Sequence, residues 1–122
     1  MYNEEKYIGQ CLESIIKHGQ GFVHQIIVVD NQSSDKSTTI VQQFPWVNLL
    51  SETIKWPTFA RQLGYQHATW NILAFLDADT RPTKQRFIKV LKQFGENDQL
   101  WFLSWPYSFY DMSLFRQFIS RF

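Results

Sequence analysis

Two aspartates, Asp77 and Asp79, directly follow an apolar run from Ile72 to Leu76, and their type and spacing suit metal chemistry. A run this short and this apolar predicts a strand buried on both faces, as in a parallel sheet. Ligands of open α/β sheets bind at the carboxyl ends of the strands, where both acids would lie. Hard divalent cations prefer carboxylate oxygens. The pattern therefore predicts a metal-assisted site for a phosphate-bearing ligand, although Asp79 with Thr80 and Thr83 could instead cap the next helix.

Other polar side chains are candidates for the same edge of the sheet. Asp30 ends a second apolar run, Ile26 to Val29, and it could accept hydrogen bonds from a ligand or only stabilise its own turn. Arg61 lies on a predicted helix, where an arginine can reach a phosphate or a base, although most helix arginines are solvated. Asp35 is expected to cap a helix, and Cys11 to be a small buried residue. The chain has no glycine-rich phosphate loop, so metal and side chains would have to hold a diphosphate.

Composition limits the class of protein. At 122 residues, with 44% hydrophobic residues, the chain can form one domain with a packed core. A net charge of +1 argues against a nucleic-acid partner. A single cysteine allows no internal disulfide, and no apolar stretch is long enough to span a membrane.

Strands and helices are predicted to alternate along the chain, which favours βαβ units and a parallel sheet flanked by helices. The predicted helices run from an Asn3 cap to Gly19, from Ser34 or Asp35 to about Phe44, from Phe59 to Ala68 and from about Thr83 to Phe94. The predicted strands are Ile26–Val29, Val47–Leu50, Ile72–Leu76 and Leu100–Trp105. Because a βαβ unit begins with a strand and none precedes the first helix, residues 1–122 are expected to form a single partial domain.

Four blocks of this sequence, in order, resemble the GT-A nucleotide-sugar transferases, in particular glycosyltransferase family 2. The resemblance covers about residues 2–95 and implies a Rossmann-like GT-A sheet that lacks its first strand and its C-terminal acceptor half. The chain would then be the donor-binding portion. The blocks are Tyr2-Asn3-Glu4-Glu5 with Ile8, Cys11-Leu12 and Ser14-Ile15; Ile27 to Asn31 with Ser33-Ser34-Asp35 and Ser37; Ala60-Arg61 with Gly64 and Ala68; and Ile72 to Asp79.

The resemblance implies roles for side chains around a nucleoside. Tyr2 and Glu4 would line the nucleoside pocket, and Asp30 would read the base. Arg61 would lie near the base or the diphosphate.

The resemblance also implies a metal-assisted reaction. Asp77 would contact the ribose, and Asp79 would hold Mg²⁺ or Mn²⁺ against the diphosphate. A sugar would pass from a nucleotide diphosphate, such as a UDP-sugar, to an acceptor hydroxyl with inversion, through a catalytic base expected beyond Phe122. The acceptor would be a saccharide or a lipid-linked molecule, in the cytoplasm or at the cytoplasmic face of a membrane.

Two alternatives remain open from the sequence. One is a non-catalytic remnant that binds nucleotide weakly. The other is a haloacid-dehalogenase-like phosphatase, whose Asp-x-Asp motif also follows an apolar strand. That family's motif resembles Asp-x-Asp-x-Thr/Val, and this chain has Arg81 at the fifth position.

Overall fold

The computed structural model describes residues 1–97, 99–100 and 103, and two compact units divide the chain, Met1–Lys89 and Val90–Phe122. The first unit contains every site residue named above. The elements are α1 (Ile8–Gly19), β1 (Ile26–Asp30), α2 (Ser37–Val41), β2 (Val47–Ser51), α3 (Pro57–His67) and α4 (Lys84–Glu96), the last of which begins in the first unit.

Strand β1 pairs with β2 in parallel, in a register that runs from Ile26 opposite Val47 to Asp30 opposite Ser51. Helix α2 lies between the two strands in the sequence, so the three elements form a βαβ unit. The predicted α/β class with a parallel sheet and flanking helices is confirmed. Because parallel strands end at the same edge, Asp30 and Ser51 mark the carboxyl edge of the sheet.

The core lies between α1, α2 and the sheet. Apolar residues recur on α1 at helical spacing, and Ile8 and Leu12 pack with Val28 of β1 and Val41 of α2. Each buried side chain of this size contributes about 1.5–3 kcal/mol relative to an exposed position. The core therefore fixes α1 against the strand that carries Asp30.

Gly19 ends α1, as predicted, and the packing there requires glycine. A Cβ atom at this position would lie 2.7 Å from Cγ2 of Val23, closer than real Cβ contacts allow.

The predicted Asn3 cap is wrong. Helix α1 begins at Ile8, and Asn3 has a left-handed backbone with φ of 52°. Its side-chain Oδ1 accepts a hydrogen bond from the backbone N–H of Ser34 at 2.8 Å. The amide is thus engaged by the loop after β1 and does not face the first turn of α1.

The predicted strand from Ile72 to Leu76 is also wrong. Among the described residues the sheet has two strands, and the run at 72–76 belongs to neither. Its side chains are exposed, with Phe75 58% and Leu76 40% accessible. A strand forms only where a neighbour bonds its N–H and C=O groups, and within residues 1–97 no strand lies beside this run.

The remaining predicted helices have the expected places. Helix α3 begins two residues before the predicted Phe59 and ends at His67, and α4 covers Lys84–Glu96. The predicted strand Leu100–Trp105 lies largely outside the described residues. In the described part of the chain, no helix is long and apolar enough to cross a membrane.

Candidate functional site

Asp30 lies at the carboxyl end of β1 and is 7% exposed. The backbone N–H of Ser33 lies 3.3 Å from both of its carboxylate oxygens, so Asp30 does stabilise its own turn. An ionised carboxylate has about four lone-pair positions, so this bond leaves acceptor capacity for a ligand. The two interpretations of Asp30 are therefore compatible.

Met1 lies beside the end of β1, opposite β2. Its amino group donates to the carbonyl of Val29 at 2.6 Å, and its carbonyl accepts from the N–H of Asn31 at 2.9 Å. The Met1 nitrogen is consequently held at the sheet edge, next to the turn that carries Asp30.

The charges of the predicted site residues converge on this point. Burial lowers the pKa of the Met1 amino group, and the negative charges of nearby acids act in the opposite direction. The side chains whose charges it senses are Asp30, Glu4, Arg61 and Asp77. Charges from four separate segments of the sequence thus act on one group at the sheet edge.

Glu4 connects this group to Asp79. Burial, followed by the charge of Asp79, raises the pKa of the Glu4 carboxyl above its ordinary value, with smaller contributions in the same direction from Asp35 and Asp77. Glu4 is half-buried and Asp79 is exposed. The structure therefore brings the predicted metal residue close to the predicted nucleoside pocket.

Arg61 and Asp77 form an ion pair. The guanidinium Nη2 lies 3.2 Å from Oδ1 of Asp77, and the side chains are 59% and 54% exposed. An exposed pair of this kind contributes about 0–1 kcal/mol, so a ligand can separate it at little cost. Arg61 thus places a positive charge beside one of the acids predicted to hold the donor.

The turn that carries Asp77 is fixed from behind by α1. The hydroxyl of Ser14 donates to the carbonyl of Pro82 at 2.8 Å, and the Cys11 sulfur lies 3.8 Å from the Asp77 carbonyl oxygen. Thr80 closes the turn, since its N–H and its hydroxyl donate to the Asp77 carbonyl at 3.0 and 2.7 Å. Cys11 is buried as predicted, and burial raises the pKa of its thiol.

Tyr2 contacts a residue that sequence reasoning missed. The Lys55 ammonium donates to the Tyr2 hydroxyl at 3.1 Å and lies 4.5 Å from the centre of the ring. Lys55 follows β2, so this contact connects the first loop of the chain with the loop after the second strand. Tyr2 is 44% exposed and presents an aromatic surface at the edge of the sheet.

The loop after β1 is joined to both neighbouring loops by hydrogen bonds that local sequence does not predict. Asn31, 5% exposed, donates from Nδ2 to the Ile54 carbonyl at 2.7 Å, and Gln32 donates to the Thr53 carbonyl. On the other side, the Asn3 N–H donates to the Ser33 hydroxyl at 3.0 Å. The Asp-Asn-x-Ser-Ser-Asp sequence signals a turn, but its partners lie about 20–30 residues away in sequence.

The acids suit a metal ion that is bound jointly by the protein and by the phosphates of a ligand better than one bound by protein side chains alone. Among the described residues no three His, Cys, Asp or Glu side chains are placed to hold an ion together. Asp79 is exposed, and Asp77 is engaged by Arg61. Mg²⁺ is commonly held by one or two carboxylates together with substrate phosphates and water. The donor set therefore suits a cation bound between Asp79 and a phosphate ligand.

Comparison with known proteins gives a consistent picture. The model of the family "Glycosyl transferase family 2" matches residues 1–121. The SPbeta prophage-derived glycosyltransferase SunS of Bacillus subtilis is 33% identical over 96 residues, which are 75% of this chain and 21% of SunS. The minor teichoic acid biosynthesis protein GgaB of the same organism is 32% identical over 103 residues, 80% of this chain and 11% of GgaB.

An archaeal relative is about as similar. The glycosyltransferase AglE of Haloferax volcanii is 32% identical over 91 residues, 70% of this chain and 30% of AglE. The chain thus spans less than a third of the length of each of these relatives. No solved structure matches the chain significantly.

Proposed function

The chain belongs to glycosyl transferase family 2, and from this we propose that it binds the nucleotide diphosphate of a sugar donor, whose sugar passes to an acceptor hydroxyl. The observation that supports the proposal is that Asp30 and the Met1 amino group lie together at the end of β1, with Glu4 and the Arg61–Asp77 ion pair within electrostatic range of that amino group. Membership of this family is incompatible with the haloacid-dehalogenase alternative.

The buried side of the site is proposed to hold the nucleoside. Asp30 has free acceptor capacity, so it suits a base that offers N–H donors, such as uracil or guanine. The exposed ring of Tyr2 offers a stacking surface, provided that Lys55 moves aside. A UDP-sugar or a similar donor fits these features.

The exposed side is proposed to hold the ribose and the diphosphate. Asp77 would accept from ribose hydroxyls and Asp79 would hold Mg²⁺ or Mn²⁺, while Arg61, released from Asp77, would reach the phosphates. When bound, the cation would neutralise the charge that grows on the departing diphosphate. These side chains bind and orient the donor. An inverting transfer further needs a carboxylate to deprotonate the acceptor hydroxyl.

The acceptor is proposed to be a saccharide or a lipid-linked molecule. The name of GgaB, which refers to the biosynthesis of minor teichoic acid, favours a cell-surface acceptor of this kind. A cytoplasmic location, with peripheral contact to the membrane face, goes with such acceptors and is part of the same proposal.

Thermal unfolding of the chain tests the proposal. With Mn²⁺ present, UDP or GDP should raise the melting temperature, because a ligand at 100 times its Kd stabilises the folded state by about 2.7 kcal/mol. Uridine or guanosine at the same concentration should give a smaller rise. No rise with any nucleotide diphosphate would contradict the proposal, and binding without sugar transfer would favour the remnant alternative.

A further inference from the structure

Ser37, the first residue of α2, is fully buried at 0% exposure, and its hydroxyl bridges two segments. Its Oγ accepts a hydrogen bond from the backbone N–H of Glu4 at 2.8 Å. The same hydroxyl donates to Oδ1 of Asp35 at 2.5 Å, and the Ser37 N–H donates to that oxygen at 2.9 Å. Because the hydroxyl donates its one hydrogen to Asp35, it can act towards Glu4 only as an acceptor.

Asp35 completes the bridge with its other carboxylate oxygen. Oδ2 accepts from the backbone N–H of Glu5 at 3.1 Å. In return, the carboxylate of Glu5 accepts from the N–H of Lys36 at 3.0 Å. Partial desolvation raises the pKa of Asp35, but the hydrogen bonds from Ser37 and Glu5 outweigh this effect and lower it overall, so the ionised form is favoured.

These bonds act on the loop that carries Glu4, whose carboxyl group lies within electrostatic range of Asp79. The Glu4 carboxyl group feels the charges of both the Met1 amino group, beside the predicted nucleoside pocket, and Asp79, the predicted metal residue. Its backbone N–H is fixed by Ser37, and the next backbone N–H is fixed by Asp35. Fixing two consecutive N–H groups fixes the direction in which the Glu4 side chain leaves the backbone.

We propose that Ser37 and Asp35 are positioning residues that hold the Glu4 carboxylate in the donor site, and that they therefore control affinity for the nucleotide diphosphate without contacting it. This inference rests on the proposed function. A purely structural role, as a support for the start of α2, would affect stability but would not depend on the side chain of Glu4.

A double-mutant cycle separates these two roles. The variants are Ser37→Ala, Glu4→Gln and their combination, and the control is Thr39→Ala, which removes an exposed hydroxyl from the same helix. Calorimetric titration with UDP and Mn²⁺ gives the Kd of each. Loss of one hydrogen bond of typical net strength predicts a roughly fivefold weaker Kd for Ser37→Ala, and Thr39→Ala should stay close to wild type. In the Glu4→Gln background, Ser37→Ala should add little, because positioned neighbours are non-additive.

Asp35→Asn is the second variant, for the case in which Ser37→Ala does not fold. The substitution keeps the shape of the side chain but replaces one carboxylate oxygen with an NH₂ group, which cannot accept a hydrogen bond from Ser37 or Glu5. Asp35→Asn should therefore also weaken UDP binding, with the same dependence on Glu4. If both variants bind UDP like Thr39→Ala, or if their effects are fully additive with Glu4→Gln, the positioning role is overturned. Absence of UDP binding by the wild-type chain would overturn the proposed function itself, and this inference with it.

Discussion

The two acid-bearing turns of the site are built in different ways. The turn after β1 starts from a buried, paired strand, and hydrogen bonds join its loop to the segments before α1 and after β2. The turn of Asp77 and Asp79 follows an exposed run that belongs to no strand among the described residues, and its contacts are with α1 and with the exposed Arg61 of α3. The first turn is held by hydrogen bonds to both neighbouring segments, whereas the acids of the second turn are exposed to solvent.

This difference follows from what each turn rests on. Val28 and Val29 are buried in the strand that pairs with β2, so the position of Asp30 is fixed by core packing. Asp77 is fixed by a Thr80 turn and by contacts to Cys11. We therefore expect the nucleoside side to be rigid and the metal side to become ordered when a diphosphate and a cation bind.

The largest expected effect is a difference in the free energy of unfolding between two Leu→Ala substitutions, one in the core and one in the run before Asp77. Leu12→Ala removes a side chain that is 1% exposed and should lower the free energy of unfolding by about 2–5 kcal/mol. Leu73→Ala, in the run before Asp77, removes one that is 37% exposed and should cost less than about 1 kcal/mol. Urea denaturation measures both. An equal loss at Leu73 would mean that the run is packed in a strand.

Asp30→Ala should weaken UDP binding by about 10–100-fold, because a hydrogen bond to a charged group is lost. The fold should remain, since the strand is held by Val28 and its neighbours and not by this carboxylate. Calorimetry and circular dichroism check the two statements separately. Loss of the fold together with binding would show that Asp30 acts only through its turn.

Cys11 reports on the metal side, since its sulfur contacts the turn that carries Asp77. Burial raises the pKa of its thiol, so the native chain should react slowly with a thiol reagent and the urea-unfolded chain quickly. UDP with Mn²⁺ should slow the native reaction further if it orders the turn. An unchanged rate with bound ligand would indicate that the turn is already rigid.

The smallest effect concerns the pH dependence of stability. The pKa of Glu4 is raised in the folded chain, so its stabilising contribution is fully present below its unfolded value and is lost as pH rises through the folded value. Glu4→Gln should therefore raise the melting temperature slightly at pH 7 and leave it unchanged well below the unfolded pKa. Glu13→Gln, at an exposed position of α1, is the control and should show no such difference.

Much of the fold could be predicted because its signals are local. Apolar spacing in α1 predicted the helix and its end at Gly19, although it begins at Ile8 and not after Asn3. The short apolar runs of β1 and β2 gave the bounds of both strands to within one residue. The run at 72–76 carries an equally clear signal but does not form a strand in the described chain, since composition cannot supply the neighbour that a strand needs. Asn3 likewise fits a cap, but a left-handed backbone turns it towards Ser34.

The candidate acids could be named from the sequence, whereas the hydrogen bonds that join their loops could not. Asp30, Asp77 and Asp79 each follow an apolar run, which predicts a position at a strand end. Of these three, only Asp30 ends a strand in the described part of the chain. The hydrogen bond between the Glu4 backbone N–H and the Ser37 hydroxyl joins residues 33 positions apart, and no local sequence pattern predicts it. Long-range bonds of this kind become visible only when the chain has folded.

The most direct test of a donor site shared by the two turns is the metal dependence of UDP binding. Calorimetric titration of the wild-type chain should give an affinity that Mn²⁺ raises by at least about tenfold, as expected for a cation bridging carboxylate and phosphate. Asp79→Asn should bind UDP equally weakly with and without Mn²⁺. An Asp79→Asn chain that still responds to Mn²⁺ like wild type would contradict the shared site.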